Sequence, residues 1–333
     1  MKLIVQMPAL NEEATIGDVI RGIPEKIEGV REIEVVVVDD GSTDRTGEIA
    51  RELGAHVVRH ETPRGVGTAF RVGINRSMEL GADLIVTIDS DGQFDPADIP
   101  KLLQPILTGQ ADFVTASRFI DPALIPEMPA AKIWGNRFMA GWMSSLIKSR
   151  FYDVSCGFRA YSREAFLRLV LTGEFTYTHE TFLTLAFSHI RMLEVPIRVQ
   201  GVRSYGKSRV ASNLLSYGHR TASIILKTYR DYQPLQFFSY IAAFLMVIAL
   251  ALFGFLLSVK LRTGGFFPHR WAGVSGIAFT GFAFAVFLVG IVAEMLDRLR
   301  SAQEEAVFRI RRLEIETREL KRHVDNALPH ADK

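Results

Sequence analysis

Residues Leu84-Ile85-Val86-Thr87-Ile88 read as a buried β-branched strand that runs directly into Asp89-Ser90-Asp91-Gly92-Gln93. Side chains alternate faces along a strand, so a loop leaving the sheet at Ser90 can aim Asp89 and Asp91 at one point. Two carboxylates with Gln93 beside them suit a hard divalent cation, Mg²⁺ or Mn²⁺. Such a cation is usually held by one or two carboxylates and completed by substrate phosphates, so the pattern points to a nucleoside-diphosphate substrate. The bland alternative is an ordinary acidic turn, because Asp-Ser-Asp-Gly is also good turn chemistry.

The elements that must position this loop follow a β-α-β rhythm. Apolar runs at 3–7, 33–38, 84–88 and 112–116 alternate with helical patterns at 14–22, 44–53, 66–80 and 97–107, which predicts a mostly parallel sheet. Ligands of such sheets lie at the carboxyl ends of strands. Polar punctuation falls there three times, at Pro8–Glu13, Asp39–Asp44 and Asp89–Gln93, so three loops are expected to converge on one crevice. Ser42 with Thr43-Asp44 reads as the cap of the second helix, and Pro96-Ala97-Asp98 as the start of another. A last strand is expected near 193–199.

Of the 333 residues 48% are hydrophobic, enough for one sizeable domain and something more apolar besides. Phe237–Val259 and Trp271–Ala293 each run 23 residues without Asp, Glu, Lys or Arg. As helices they reach roughly 35 Å, against about 30 Å for a bilayer core. The connection at 260–270 holds Thr-Gly-Gly and Phe-Pro, so a transmembrane hairpin is expected, with buried core helices as the alternative. With no leader-like segment before Pro8, the site-bearing domain and the C-terminus are expected on the cytoplasmic side of a multi-pass protein of the cell membrane. The one cysteine, Cys156, excludes an internal disulfide and fits a reducing compartment. A net charge of +2 carries no signal of its own, and no nucleic-acid partner is expected.

Two helical patterns, 133–151 and 214–232, pair apolar stripes with basic residues, so each is expected either on a membrane surface or against the core. After the hairpin, Leu296, Leu299, Gln303, Ala306, Ile310, Leu313, Thr317, Leu320 and Val324 recur at alternating spacings of three and four, a heptad seam. With Leu296 at position a, Arg309 faces Glu314 and Glu316 faces Lys321 across a parallel in-register pair, which predicts a homo-oligomer. The alternative is an amphipathic tail packed on its own domain. The expected domains are 1–211, a juxtamembrane helix at 212–236, the hairpin at 237–293, a coiled-coil helix at 294–326 and a disordered tail at 327–333.

Pro8-Ala9-Leu10-Asn11-Glu12-Glu13, Val38-Asp39-Asp40-Gly41-Ser42-Thr43-Asp44 and Asp89-Ser90-Asp91-Gly92-Gln93 together resemble the signatures of family 2 glycosyltransferases. With the two-span C-terminus, the closest likeness is to polyprenyl-phosphate sugar synthases. The resemblance covers residues 1 to about 230 and implies a Rossmann-like GT-A domain ahead of the hairpin and coiled-coil helix. It implies transfer of one hexose, mannose or glucose, from a UDP- or GDP-sugar to polyprenyl phosphate, with inversion and with Mg²⁺ or Mn²⁺. Asp39 with Val38 then resembles the base-binding strand end, and Pro8, Leu10 and Glu12 the loop that shapes the base and ribose pocket. Leu10 stands where relatives often have an aromatic residue. Asp89, Ser90, Asp91 and Gln93 resemble the ribose and metal-binding loop, with Asp89, Asp91 and Gln93 as the metal set.

Arg118 resembles the arginine of the sugar and phosphate site, and Asp153–Phe158 the acceptor-side motif, in which Cys156 is a small packed residue. Arg203, Lys207, Ser208 and Arg209 resemble a loop closing over nucleotide and lipid phosphate. Glu180 lies where other branches keep a base, although an anionic phosphate acceptor needs none. Other classes fit less well. Gly65-Val66-Gly67 lacks the third glycine and the opening strand of a dinucleotide fingerprint. A processive polysaccharide synthase needs more spans and a Gln-x-x-Arg-Trp motif. A scaffold without activity has no use for Asp39, Asp89, Asp91 and Gln93 together.

Overall fold

The computed structural model describes residues 1–169, 177–200 and 214–327; the basic loop with Arg203, Lys207, Ser208 and Arg209 lies outside these residues. The strands are β1 (Lys2–Ala9), β2 (Glu32–Asp39), β3 (His56–Arg59), β4 (Leu84–Thr87), β5 (Phe113–Ser117), β6 (Arg159–Ser162) and β7 (Met192–Pro196). Among the described residues they form one seven-stranded sheet in the order β3-β2-β1-β4-β6-β5-β7. β6 runs antiparallel to both neighbours, and every other pairing is parallel. This is the mostly parallel sheet expected.

The helices are α1 (Ile16–Arg21), α2 (Thr46–Glu52), α3 (Val66–Glu79), α4 (Ile99–Leu107), α5 (Ala130–Ile147), α6 (Arg163–Leu167), α7 (Thr178–Phe187), α8 (Leu214–Tyr232), α9 (Pro234–Thr263) and α10 (Arg270–Ala327). β1 shows how the sheet divides its core. Leu3, Val5 and Met7 point to one face, with Ile16 of α1 and Leu102 and Leu103 of α4. Ile4 points to the other, with Phe70 of α3 and Phe113. Covering both faces is what makes β1, β4 and β5 read as continuous apolar runs.

The sequence reading missed β3 and β6. β3 is only four residues long, and β6 begins with a charged residue, Arg159, that breaks an apolar pattern. The cap of α2 also differs from expectation. Asp44 Oδ1 accepts the Thr46 N–H at 3.0 Å, while the Ser42 hydroxyl accepts the Asn11 N–H instead. The helical start at Pro96 holds as read, with Asp95 accepting the Ala97 N–H.

The described residues fall into two compact units. One takes the chain up to Ile225 together with α10 from Ala306 onward; the other is Leu226–Glu305. In the second unit α9 and the first part of α10 are long and apolar enough to cross a membrane, and only 11% and 17% of their most apolar windows are buried in the protein. Helices of a soluble core are mostly buried, so the buried-helix alternative fails here. The two helices touch where α10 carries glycine: a Cβ on Gly276 would lie 2.8 Å from the Phe253 ring, and one on Gly290 2.9 Å from Phe238. Small residues at such crossings let apolar helices approach closely in lipid.

α10 is continuous, so no break separates the second span from the heptad segment. In the first unit α10 packs on its own domain: Phe308 and Ile315 are buried in the cluster that contains Phe166 and Leu167. The Arg168 guanidinium stands 4.1 Å from the Phe308 ring centroid. Arg311 donates to the carbonyls of Leu167 and Leu169 at 3.1 and 2.8 Å. The two amphipathic segments differ. Ile225 of α8 is buried in the core, whereas α5 turns Ala140 and Met143 inward and leaves Trp134 and Phe138 exposed, stacked 5.7 Å apart.

Candidate active site

Three loops meet at the carboxyl ends of β1, β2 and β4, tied together by hydrogen bonds from short polar side chains. Asn11 has a positive φ of 53°; its side-chain carbonyl accepts the Thr43 N–H at 2.7 Å. The Glu12 N–H donates to Thr46 Oγ1 at 2.8 Å. Ser90 joins β4 to β1 by donating to the Pro8 carbonyl at 3.0 Å, and its own carbonyl accepts the Thr15 hydroxyl at 2.7 Å. Such cross-ties fix loop positions before any ligand arrives, so little ordering remains for binding.

Asp39 ends β2 fully buried. Its Oδ1 accepts the Ser42 N–H at 2.8 Å, while its Oδ2 has no hydrogen-bond partner and lies 3.6 Å from Arg59 Nε. A buried carboxylate oxygen left in that state is costly and suits an incoming N–H donor. Gly47 packs directly against this oxygen, since a Cβ there would lie 2.6 Å from Oδ2. Asp40 is structural: it accepts from the N–H groups of Arg64 and Gly65 and pairs with His60 Nδ1 at 2.6 Å. Val38 turns its side chain into the core, so it serves the site only by carrying the strand; Leu10 and Glu12 are half-buried in the first loop.

In the loop after β4, Asp91 is 2% exposed and accepts the Gln93 N–H at 3.0 Å. Gln93 donates from Nε2 to the Gln200 carbonyl at 2.9 Å, so its Oε1 is the atom that could face a cation. Asp89 faces Gly157: a Cβ there would stand 3.0 Å from both Asp89 oxygens and 3.1 Å from the Tyr177 hydroxyl. β6 brings Gly157 there, because Arg159 pairs with Thr87 of β4 and Thr115 of β5. An open cleft of about 430 Å³ flanks this loop, lined by Thr15, Gly92, Gln93, Phe94, Arg198 and Gln200 among others. Among the described residues no group of three His, Cys, Asp or Glu could hold a metal. Asp89 and Asp91 are oxygen donors of the kind a hard cation takes, with its remaining ligands drawn from diphosphate and water.

Beyond the end of β5, Asp153 holds Arg118. Its carboxylate accepts from Arg118 Nε at 2.6 Å and Nη2 at 2.9 Å. Burial would raise the Asp153 carboxyl, but the Arg118 charge and hydrogen bonds outweigh it and hold it below the usual range. The guanidinium fork that the sequence reading gave to phosphate is thus engaged by a carboxylate, and Arg118 is a positioned, partly neutralised cation. Cys156 is buried, and burial pushes its thiol up to about 12, so it is no nucleophile at neutral pH. Glu180 is buried in the first turn of α7.

Two supporting residues escaped the sequence reading. Glu194 of β7 accepts the backbone N–H groups of Tyr152 and Asp153 at 2.8 and 2.7 Å and so sets the turn that presents Asp153. Burial pushes its carboxyl up to about 7 against the pull of those two bonds. Arg159, fully buried, donates to the carbonyls of Cys156, Thr178 and Val154. It ties the loop before β6 to the start of α7. The available signal was a lone charge inside each apolar strand, Arg159-Ala160-Tyr161 and Leu193-Glu194-Val195.

The sequence profile of Glycosyl transferase family 2 matches residues 4–170, half of the chain, including the three loops at the carboxyl ends of β1, β2 and β4. The chain belongs to glycosyl transferase family 2. Among its relatives, the UDP-N-acetylglucosamine–dolichyl-phosphate N-acetylglucosaminyltransferase of Methanococcus voltae is 30% identical over 213 residues, covering 58% of this chain and 83% of that protein. The undecaprenyl-phosphate mannosyltransferase of Micrococcus luteus is 28% identical over 233 residues, covering 65% and 90%. Among solved structures, the glucosyl-3-phosphoglycerate synthase of Mycobacterium tuberculosis in complex with Mn²⁺ and UDP superposes with a TM-score of 0.52 at 26% identity, covering 68% of this chain and 79% of that one. The same synthase has also been solved with Mg²⁺ and UDP. This family 2 chain is a glycosyltransferase whose relatives include enzymes acting on polyprenyl phosphates; those relatives differ in the sugar they carry.

Proposed function

We propose that this glycosyltransferase moves one hexose, mannose or glucose, from a UDP- or GDP-sugar to polyprenyl phosphate at the cytoplasmic face of a membrane, with inversion. The observation that carries the reading is the convergence of three cross-tied loops that place Asp39, Asp89 and Asp91 at one end of the sheet. Asp39, with its unsatisfied Oδ2, takes an N–H of the base, and the Pro8–Glu12 loop shapes the pocket around it. Asp89 and Asp91, with Gln93 Oε1, hold Mg²⁺ or Mn²⁺, which when bound neutralises charge on the departing diphosphate. The metal found in the mycobacterial synthase supports that assignment.

The acceptor decides the chemistry. A lipid phosphate is anionic at neutral pH, so its oxygen attacks the anomeric carbon in line, the bond from that carbon to the nucleoside diphosphate breaks, and no side chain need take a proton. An α-linked donor then gives a β-linked product. The obstacle is electrostatic, since two phosphate groups must meet. Because Arg118 shares its charge with Asp153, most of the compensation falls to Arg203, Lys207 and Arg209, while Ser208 adds a hydroxyl donor. Glu180 orients sugar or arginine and acts as no base. Two membrane-length helices and the exposed Trp134–Phe138 ridge support an acceptor that resides in a bilayer.

Asp91→Ala tests the site. Turnover by purified protein given a nucleotide sugar, polyprenyl phosphate and Mn²⁺ should fall on the order of 10²–10³-fold, with the circular dichroism spectrum unchanged. Undiminished turnover at limiting metal contradicts the assignment of Asp91. Arg203→Ala should raise the concentration of lipid phosphate needed for half-maximal rate; an unchanged acceptor dependence removes that loop from the site.

A further inference from the structure

α10 presents two apolar faces beyond Ala306, and they lie on opposite sides of the helix. With Ile310 at heptad position a, the residues docked on the chain's own domain are Phe308 and Ile315 at f and Arg311 at b. These are the positions that a coiled coil turns to solvent. The a and d positions are left uncovered: Ile310 is 55% exposed, Leu313 60% and Leu320 66%, and the row continues through Leu299 at 64% and Leu296 at 60%. Packing of the tail on its own domain and pairing through the heptad seam are therefore compatible, because they use different sides of one helix.

We infer that this uncovered seam pairs with the same seam of a second copy of the chain, as a parallel, in-register coiled coil. Charge selects that occupant. In a parallel pair the g position of one helix meets the following e position of the other, which brings Arg309 to Glu314 and Glu316 to Lys321, opposite in sign in both heptads, and all four are exposed. The same helix includes a membrane-length apolar segment, so identical chains inserted in one membrane emerge in the same direction and at the same depth. That fixes both parallel orientation and register without further contacts. Gln303 and Thr317 at a positions keep the pairing modest in strength. Each catalytic unit stays docked on the f face of its own helix, so pairing through a and d leaves that docking intact.

Disulfide formation in the full-length protein in native membranes tests this directly, since Cys156 is buried. Leu313→Cys, at a d position facing its own counterpart, should give a disulfide-linked dimer, and the equally accessible Arg318→Cys at b should not. In the Leu313→Cys background, Glu316→Lys should lower the dimer yield several-fold, and adding Lys321→Glu should restore it. Restoration separates pairing between chains from loss of the Arg312–Glu316 contact within one helix. No cross-link at Leu313, equal cross-linking at both positions, or a yield indifferent to the charge changes overturns the inference.

Discussion

At the residue scale, the site is organised by carboxylates doing different work in similar surroundings. Asp39 leaves one oxygen without a hydrogen bond, Asp91 stabilises its own turn, and Asp153 is consumed by Arg118. Asp153→Asn breaks a pair whose carboxylate is fully buried, so it should lower unfolding free energy by about 3 kcal/mol, read from denaturant midpoints. Glu194 adds a pH dependence. Its folded-state pKa, about 7, lies above the ordinary 4.5, so the folded protein holds the extra proton and this contribution to stability is lost as pH rises between those values. The stability of the wild type relative to Glu194→Gln should therefore be greater at pH 5 than at pH 8 in thermal unfolding. A margin that grows with pH contradicts the assignment. Asp89, Asp91 and Asp39 were legible from sequence because each follows an apolar strand. The engagement of Arg118 by Asp153 was not, because 35 residues separate them and only β5 and the loop before β6 bring them together.

At the scale of elements, strands with uninterrupted apolar runs and helices with clear periodicity were readable, and α8 ends at Tyr232 where its pattern does. β6 was hidden because its role is to carry Arg159 between β4 and β5, which places a charge where alternation predicts an apolar residue. α10 shows a second limit. Its a and d positions drew attention, but Phe308 and Ile315 at f dock the helix on the catalytic unit, and heptad reading treats f as solvent-facing. Phe308→Ala should weaken that docking by about 3 kcal/mol and raise amide exchange in α10 from Ala306 onward, with little change in β1 and β4. Unchanged exchange there means that Phe308 does not hold the helix.

At the scale of the whole chain, a GT-A domain and two membrane-length helices in one polypeptide restrict the acceptor more than any single residue does. The solved synthase that it resembles has been captured with phosphoglyceric acid, whereas the relatives named for dolichyl and undecaprenyl phosphate align over 58% and 65% of this chain. The measurement that tests the account most directly is the mass of the lipid formed when purified protein is given UDP- and GDP-hexoses, a short polyprenyl phosphate and Mn²⁺, with and without chelator. The account predicts a polyprenyl phosphate heavier by one hexose, with the signal lost when the metal is removed. A ladder of added sugars, a product on a water-soluble acceptor alone, or full yield in chelator contradicts it.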